Sequence, residues 1–189
     1  DNNDNEAEAQ VVIETGLPTP TFTFVETSIG GQTMTVLTGT VNLDVSLTQN
    51  KIYVLSGVVS VASGATLTIE AGTLVYADTR DAIETVLIIA QGAMLNAQGT
   101  SGSPIIFTSL NEVLGTPAKA DWVGIHINGF APVSPVTSSL SGVIGNYGGS
   151  NGADNSGAIK YIRVQYAGKS FGSSTGGINF NGVGAATNI

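Results

Sequence analysis

The chain has 189 residues, a mass of 19.1 kDa and a net charge of −8, which fits one domain with a tail. Six scattered Lys and Arg residues exclude a phosphate-binding stripe for nucleic acid, and the absence of Cys excludes a disulfide scaffold and a thiolate metal site. No apolar run approaches the roughly 18 residues that a membrane-spanning helix needs.

Residues 1–20 are polar and acidic, and they are predicted to form a flexible linker. Asp and Glu alternate with Asn near the start, a composition that cannot bury an apolar core, and the two prolines at 18 and 20 disfavour a helix. The segment resembles the stretch that follows the lipidated Cys of bacterial surface lipoproteins. That resemblance implies an extracellular or outer-membrane location, with a lipid anchor upstream. An ordinary solvated tail is the alternative.

Beyond residue 20, short β-branched runs alternate with turn residues, so the sequence predicts strands and almost no helix. The runs are rich in Val, Ile, Leu and Thr. The one helix-like stretch, residues 78–85, is interpreted as a loop between strands. The predicted strands include residues 33–37, 52–55, 58–61, 66–69, 74–77, 86–90 and 105–108.

An internal repeat is the strongest pattern in the sequence. ASGATLTIE at 62–70 is followed 28 residues later by AQGAMLNAQ at 90–98, with Ala, Gly, Ala and Leu in the same places. One repeat of this length cannot bury its own apolar face. Stacked coils can, because each strand then pairs in parallel with its equivalent one coil away.

The repeat therefore predicts an all-β fold, a parallel β-helix that is right-handed like other parallel crossovers. Leu67 is expected to stack on Leu95 inside this solenoid, about 4.8 Å away. Gly64 and Gly92 are expected at equivalent corners, where a positive φ favours Gly. An antiparallel sandwich or barrel also uses short strands and Gly-rich turns, but the repeat favours the solenoid.

The sequence also resembles the opening coils of large β-helical surface proteins of Bacteroidetes-type bacteria, over roughly residues 40–189. The resemblance implies an exported scaffold whose relatives mostly have no assigned chemistry. Ala71 stands where Pro is usual, and Ala120 and Val123 stand where Gly residues flank an Asp-Trp pair. The matching segments are 52–57, 64–73, 103–109, 121–122, 129–132 and 159–168.

The predicted organisation has three parts. Residues 1–20 are the linker, residues 21–50 are cap strands that fold over the first coil, and residues 51–189 are the coils. Residues 176–184 begin another coil without a polar cap after it. Because an open coil presents unpaired backbone groups, we expect another chain or missing C-terminal coils to cover this end.

Asp78, Asp81 and Glu84 lie close together in the loop at 78–85 and are the predicted metal ligands. Their carboxylate oxygens suit Ca²⁺. Lyases on this fold use such carboxylates with calcium and a basic residue, and Arg80 lies in the same loop. The alternative is a solvated loop with an Arg–carboxylate pair.

Two further segments are predicted to bind a ligand. The ring of Trp122 can stack on a sugar, with Asp121 beside it, although the pair can equally cover a coil and fix a turn. The Gly-, Asn- and Ser-rich stretch at 145–157 contains Asp154 and Asn155 and is the predicted partner-contact loop. A mobile insertion is the alternative there.

The sequence contains no recognisable catalytic constellation. His126 is the only histidine, and it lies on an alternating strand where it points outward, without a nucleophile to activate. No two carboxylates recur on stacked strands. We therefore expect a non-catalytic structural or adhesive surface protein, or an accessory lipoprotein, that presents loops and a flat strand face to a protein or glycan. A carbohydrate-active lyase or hydrolase is the alternative.

Overall fold

The computed structural model describes residues 19–80, 83–134, 138–139, 143–171 and 176–189, and for 138–139 only the backbone. This part of the chain forms strands and a single 3-10 turn, Leu110–Glu112. The strands in chain order are β1 (Thr21–Ile29), β2 (Gln32–Val41), β3 (Val45–Leu47), β4 (Ile52–Val61), β5 (Thr66–Ile69), β6 (Leu74–Ala77), β7 (Val86–Ile89), β8 (Met94–Gln98), β9 (Ile105–Ser109), β10 (Gly124–Asn128), β11 (Ser138–Ser139), β12 (Asn146–Tyr147), β13 (Gly157–Lys160), β14 (Ile162–Val164) and β15 (Ile178–Asn181).

Three ladders of parallel strands form the walls of a β-helix. The first face stacks β14, β9, β6 and the first half of β4, and the second face stacks β15, β10, β7 and the second half of β4. The third face stacks β13, β8, β5 and β3. β4 turns from the first face to the second at Gly57, whose φ is +66°. The predicted parallel β-helix is therefore confirmed.

The predicted stacking of the repeat is confirmed residue by residue. Leu67 pairs with Leu95 in register, and both side chains are completely buried in the interior of the solenoid. Gly64 and Gly92 occupy equivalent corners with φ of +85° and +78°, and the Gly64 amide donates to the Gly92 carbonyl at 2.9 Å. The positive φ favours Gly at this corner, and a Cβ atom on Gly92 would also lie 2.6 Å from the Ser63 hydroxyl.

The N-terminal end of the solenoid is closed by a hairpin. β1 pairs with β2 in antiparallel fashion, and Phe22 of β1 packs against the interior core. β2 also pairs in parallel with β4, and β3 pairs in parallel with β5. The parallel ladders thus begin at β2 and β3, inside the segment 21–50 that was predicted to form the cap strands, and β1 runs antiparallel to β2.

At the C-terminal end, β13, β14 and β15 are the last strands of their ladders in the described residues. An apolar groove of about 620 Å³ lies beside them, lined by Ile159, Ile178, Phe180, Ile189 and neighbouring side chains. The expectation that another chain or further coils cover this end stays a prediction. Within the described part of the chain, no helix has the length and hydropathy needed to cross a membrane.

The outward sides of the three faces differ. Outside the first face, Met34, Val54 and Leu110 belong to a second apolar cluster, and outside the second face Ile88 and Ile144 belong to a third. The third face has no such cluster among the described residues. Its outward ladder instead consists of small or polar side chains that are exposed or half-buried: Ser46, Thr68, Asn96 and Ala158.

Candidate functional site

The predicted metal ligands lie in the connection between β6 and β7, where the described members have cationic partners. Asp78 is 4% exposed, and Arg80 donates to its two oxygens through Nε at 2.9 Å and Nη2 at 2.8 Å. Glu84 pairs with Lys169 at 2.9 Å. Asp81 lies outside the described residues. Among the residues that the structure describes, no group of three or more His, Cys, Asp or Glu side chains is placed to hold a metal ion.

The Asp78–Arg80 pair keeps its carboxylate charged. Burial alone would raise the pKa of Asp78, but the side-chain and backbone hydrogen bonds from Arg80, its positive charge, and a backbone hydrogen bond from Thr79 together outweigh burial, so the pKa is lowered. The Thr79 hydroxyl in turn donates to Oδ1 of Asn111 at 2.7 Å, and this contact ties the connection to the next coil. These contacts fix the loop in place.

Asp121 and Trp122 lie at the corner before β10, and both are engaged by their own chain. Asp121 accepts from the Ser109 hydroxyl at 2.6 Å and from the Ala118 amide at 3.0 Å, which fixes the turn. Trp122 is 1% exposed and belongs to the interior core, and its indole N–H donates to the Gln165 carbonyl at 2.9 Å. In this arrangement the indole has no face open to a sugar.

The loop at 145–157 is anchored on two sides. Gly148 donates its amide to the Gly129 carbonyl at 2.8 Å, and Ala185 donates to the Gly152 carbonyl at 2.9 Å. Asp154 is 5% exposed and accepts from the Ser156 hydroxyl at 3.0 Å. Asn155 is exposed but accepts from the Gly157 amide at 2.9 Å. The loop therefore presents an exposed tip around residues 151–153 to solvent.

His126 does point away from Ile125 and Ile127, which face the core, yet it is completely buried. In the ladder of the second face it lies between Ile88 and Asn179. No local pattern predicts this cover, because the residues that shield the outward side, such as Ile144, come from segments without periodicity.

The protonation of His126 follows from its neighbours. The Asn179 amide nitrogen lies 3.3 Å from Nε2 and also donates to the Gly176 carbonyl at 2.8 Å. An amide nitrogen can only donate, so Nε2 is the acceptor and the proton lies on Nδ1. Nδ1 has no hydrogen-bond partner among the described residues. Burial lowers the pKa of His126 to about 4, and the imidazole is therefore neutral at pH 7.

A groove that the sequence did not predict lies at the N-terminal end of the solenoid, and we call it the N-terminal groove. It has a volume of about 320 Å³ and is lined by Phe24, Thr35, Ser46, Thr48, Lys51 and Tyr53. The alternating aromatics of β1 were the only available signal. Their register against β2 and their distance from Tyr53 depend on the hairpin and on the β2–β4 ladder, and no local pattern indicates those contacts.

The comparisons with known proteins agree with this architecture. Residues 39–189 match the family model described as a pectate-lyase like beta helix domain. No curated protein and no solved structure gives a significant match.

Proposed function

The chain belongs to the pectate-lyase-like beta-helix family, and we propose that it acts as a non-catalytic binding scaffold at the cell surface. The solenoid is a stiff support, and its third face and the loop at 145–157 are the surfaces offered to a partner. The proposed surface location rests on the acidic N-terminal segment. The proposed binding role rests on the carboxylates that are engaged within the chain and on the polar side chains of the third face.

One observation carries the proposal. Every carboxylate side chain in the described part of the chain has a hydrogen-bond or ion-pair partner within the same chain. Lyases and hydrolases need carboxylates that are free to hold a metal or to exchange a proton with substrate. The engaged residues are Glu26, Asp44, Glu70, Asp78, Glu84, Glu112, Asp121 and Asp154.

The outward side chains of the third face also support the binding role. Its outward side chains form straight rows on parallel strands, and no apolar cluster of the described residues covers them. Thr68 and Asn96 are half-buried neighbours in one such row. A flat surface with spare hydrogen-bonding groups is suited to a protein or glycan partner.

A second candidate function is a carbohydrate-active enzyme, because the description of the family names pectate lyase. On that reading Asp78, Asp81 and Glu84 would hold Ca²⁺ and Arg80 would be the basic residue. Rearrangement of the Asp78–Arg80 and Glu84–Lys169 pairs would be required first, since these carboxylates now bond to cationic side chains.

One experiment separates the two functions. The purified chain is incubated with polygalacturonate and with neutral polysaccharides, with calcium and with chelator, and unsaturated or reducing-end products are measured. We expect no product and no calcium-dependent change in the melting temperature. Calcium-dependent product that disappears in Asp78→Asn, but persists in the matched surface variant Asp44→Asn, would overturn the proposal.

A further inference from the structure

We infer that the N-terminal groove binds one residue of a neutral polysaccharide through stacking on Phe24 and hydrogen bonds to Thr35 and Ser46. This inference gives the proposed binding scaffold a ligand class and rests on its being a binder rather than an enzyme. It places the ligand at the N-terminal end of the solenoid, where Ser46 begins the outward row of the third face, and away from the loop at 145–157.

An aromatic platform forms one wall of the groove. Phe24 is 41% exposed. The centroid of its ring lies 6.4 Å from the centroid of the Tyr53 ring, and the two ring planes meet at 64°. The Phe22 ring packs edge-on against the Phe24 ring, with the two centroids 5.7 Å apart. The Thr48 amide donates to the Tyr53 hydroxyl at 3.0 Å and fixes that ring. A platform held in this way loses little entropy when it receives the apolar face of a sugar ring.

Two hydroxyl groups in the groove have no hydrogen-bond partner among the residues that the structure describes. Thr35 is only 6% exposed and lines the groove, yet the structure gives its hydroxyl no hydrogen-bond partner among the described residues. Ser46 is exposed, lines the same groove and is likewise without a partner in that part of the chain. Both hydroxyls are open to solvent in the groove, so a ligand hydroxyl can take the place of water on them.

The charges around the groove favour a neutral ligand. Lys51 is the cation of the groove, and its ammonium bonds Glu26 at 3.0 Å; that hydrogen bond raises the pKa of Lys51. The positive charge is therefore already compensated by the Glu26 carboxylate. The chain as a whole carries a net charge of −8, which repels an anionic polysaccharide at moderate salt.

The volume of the groove limits how much of a polysaccharide it can contact. A volume of about 320 Å³ lies at the small end of the range for ligand pockets and suits a single sugar residue rather than a long segment. The neighbouring residues of the polysaccharide would extend into solvent on either side.

The test is titration calorimetry of the full chain with cellohexaose, mannohexaose and chitohexaose, and with oligogalacturonate as the anionic comparison. We expect at least one neutral hexasaccharide to bind. Phe24→Ala should weaken that binding by about tenfold or more through the lost ring contact. Thr35→Val has nearly the same shape and should weaken it about threefold to tenfold. Phe130→Ala removes a ring of similar exposure, 39%, elsewhere on the surface and should leave the affinity unchanged.

Each outcome has a separate meaning. Failure of all three neutral hexasaccharides to bind, or binding that neither Phe24→Ala nor Thr35→Val weakens in folded protein, overturns the inference. Tighter binding of oligogalacturonate with the same sensitivity to the variants overturns the neutral ligand class. Cleavage of a bound hexasaccharide overturns the proposed non-catalytic function and leaves the groove as its binding site.

Discussion

The second and third faces of the solenoid are built from the same kind of strand, yet their outward sides differ. On the inward side, Ile125 and Ile127 of the second face resemble Leu95 and Ala97 of the third, and all four are completely buried. On the outward side, the second face carries a buried histidine within an apolar cover, whereas the third face carries half-exposed Thr, Met and Asn side chains.

The difference shows that the inside and the outside of a coil follow separate rules. The inward side must be apolar because each coil packs on the next. The outward side depends on the segments inserted between strands, which cover the second face with residues such as Ile144 and Phe171. Four substitutions, at positions with different degrees of cover, test this contrast.

A charge on the covered side should be the most damaging change. Ile88 is 3% exposed on the outward side of β7, so Ile88→Asp buries an unpaired carboxylate and should lower the free energy of unfolding by about 3–5 kcal/mol. The matched change Thr68→Asp on the third face should cost less than about 1 kcal/mol. Urea unfolding of both variants gives the comparison, and equal losses would contradict the distinction between the two faces.

The buried histidine should make stability depend on pH. The pKa of His126 is about 4 in the folded chain and about 6.5 in the unfolded chain, so the unfolded state binds more protons between these values. The stabilisation is fully present above pH 6.5 and is lost as the pH falls toward 4, by about 3 kcal/mol. His126→Gln should remove this component while the carboxylates titrate as before. Parallel pH dependences for the two proteins would show that the imidazole is solvated.

The Asp78–Arg80 pair should have a smaller effect because Arg80 is half-exposed, with 45% of its side-chain surface accessible. Asp78→Asn keeps the shape, loses the charge and should lower the free energy of unfolding by about 1–2 kcal/mol at pH 7. Since the folded-state pKa of Asp78 is lowered, the difference from the parent chain should shrink as the pH falls through that pKa. A constant difference down to low pH would mean that packing, not charge, is responsible.

The smallest effect is expected on the open side. Met94 lies half-buried on the outward side of β8, in register with Thr66. Met94→Thr places a second threonine beside Thr66 and should change the free energy of unfolding by less than about 0.5 kcal/mol. A loss above about 1 kcal/mol in thermal or urea unfolding would indicate that another surface covers this row.

The sequence predicted the fold well where one coil repeats the next. The Gly and Leu positions shared by 62–70 and 90–98 were sufficient to place Leu67 on Leu95, because register in a solenoid follows from the inward period of two residues. The strands that follow the two copies, β6 and β9, do not keep the 28-residue offset: Val75 pairs with Phe107, because the connection before β9 is longer than the connection before β6. Handedness, which the sequence predicts to be right-handed, stays a prediction.

The candidate sites were less predictable, because they depend on partners far apart in the chain. The Ser109 hydroxyl that engages Asp121 comes from the preceding strand, and the Gln165 carbonyl that engages Trp122 comes from the following coil. Residue types at 121 and 122 allow both a ligand contact and a structural one. Only the inter-coil contacts distinguish them, and those contacts depend on inserted segments of irregular length.

The pairing of β4 with several strands affects how the molecule opens. This single strand bonds to β6 through its first half, to β7 through its second half and to β2 along both. A fluctuation that releases one half must twist the other, so the two walls that meet at Gly57 are expected to open together. Amide exchange at Val54 and Val59, on opposite sides of that bend, should then proceed at similar rates, as expected for a single cooperative unit at the base of the spiral.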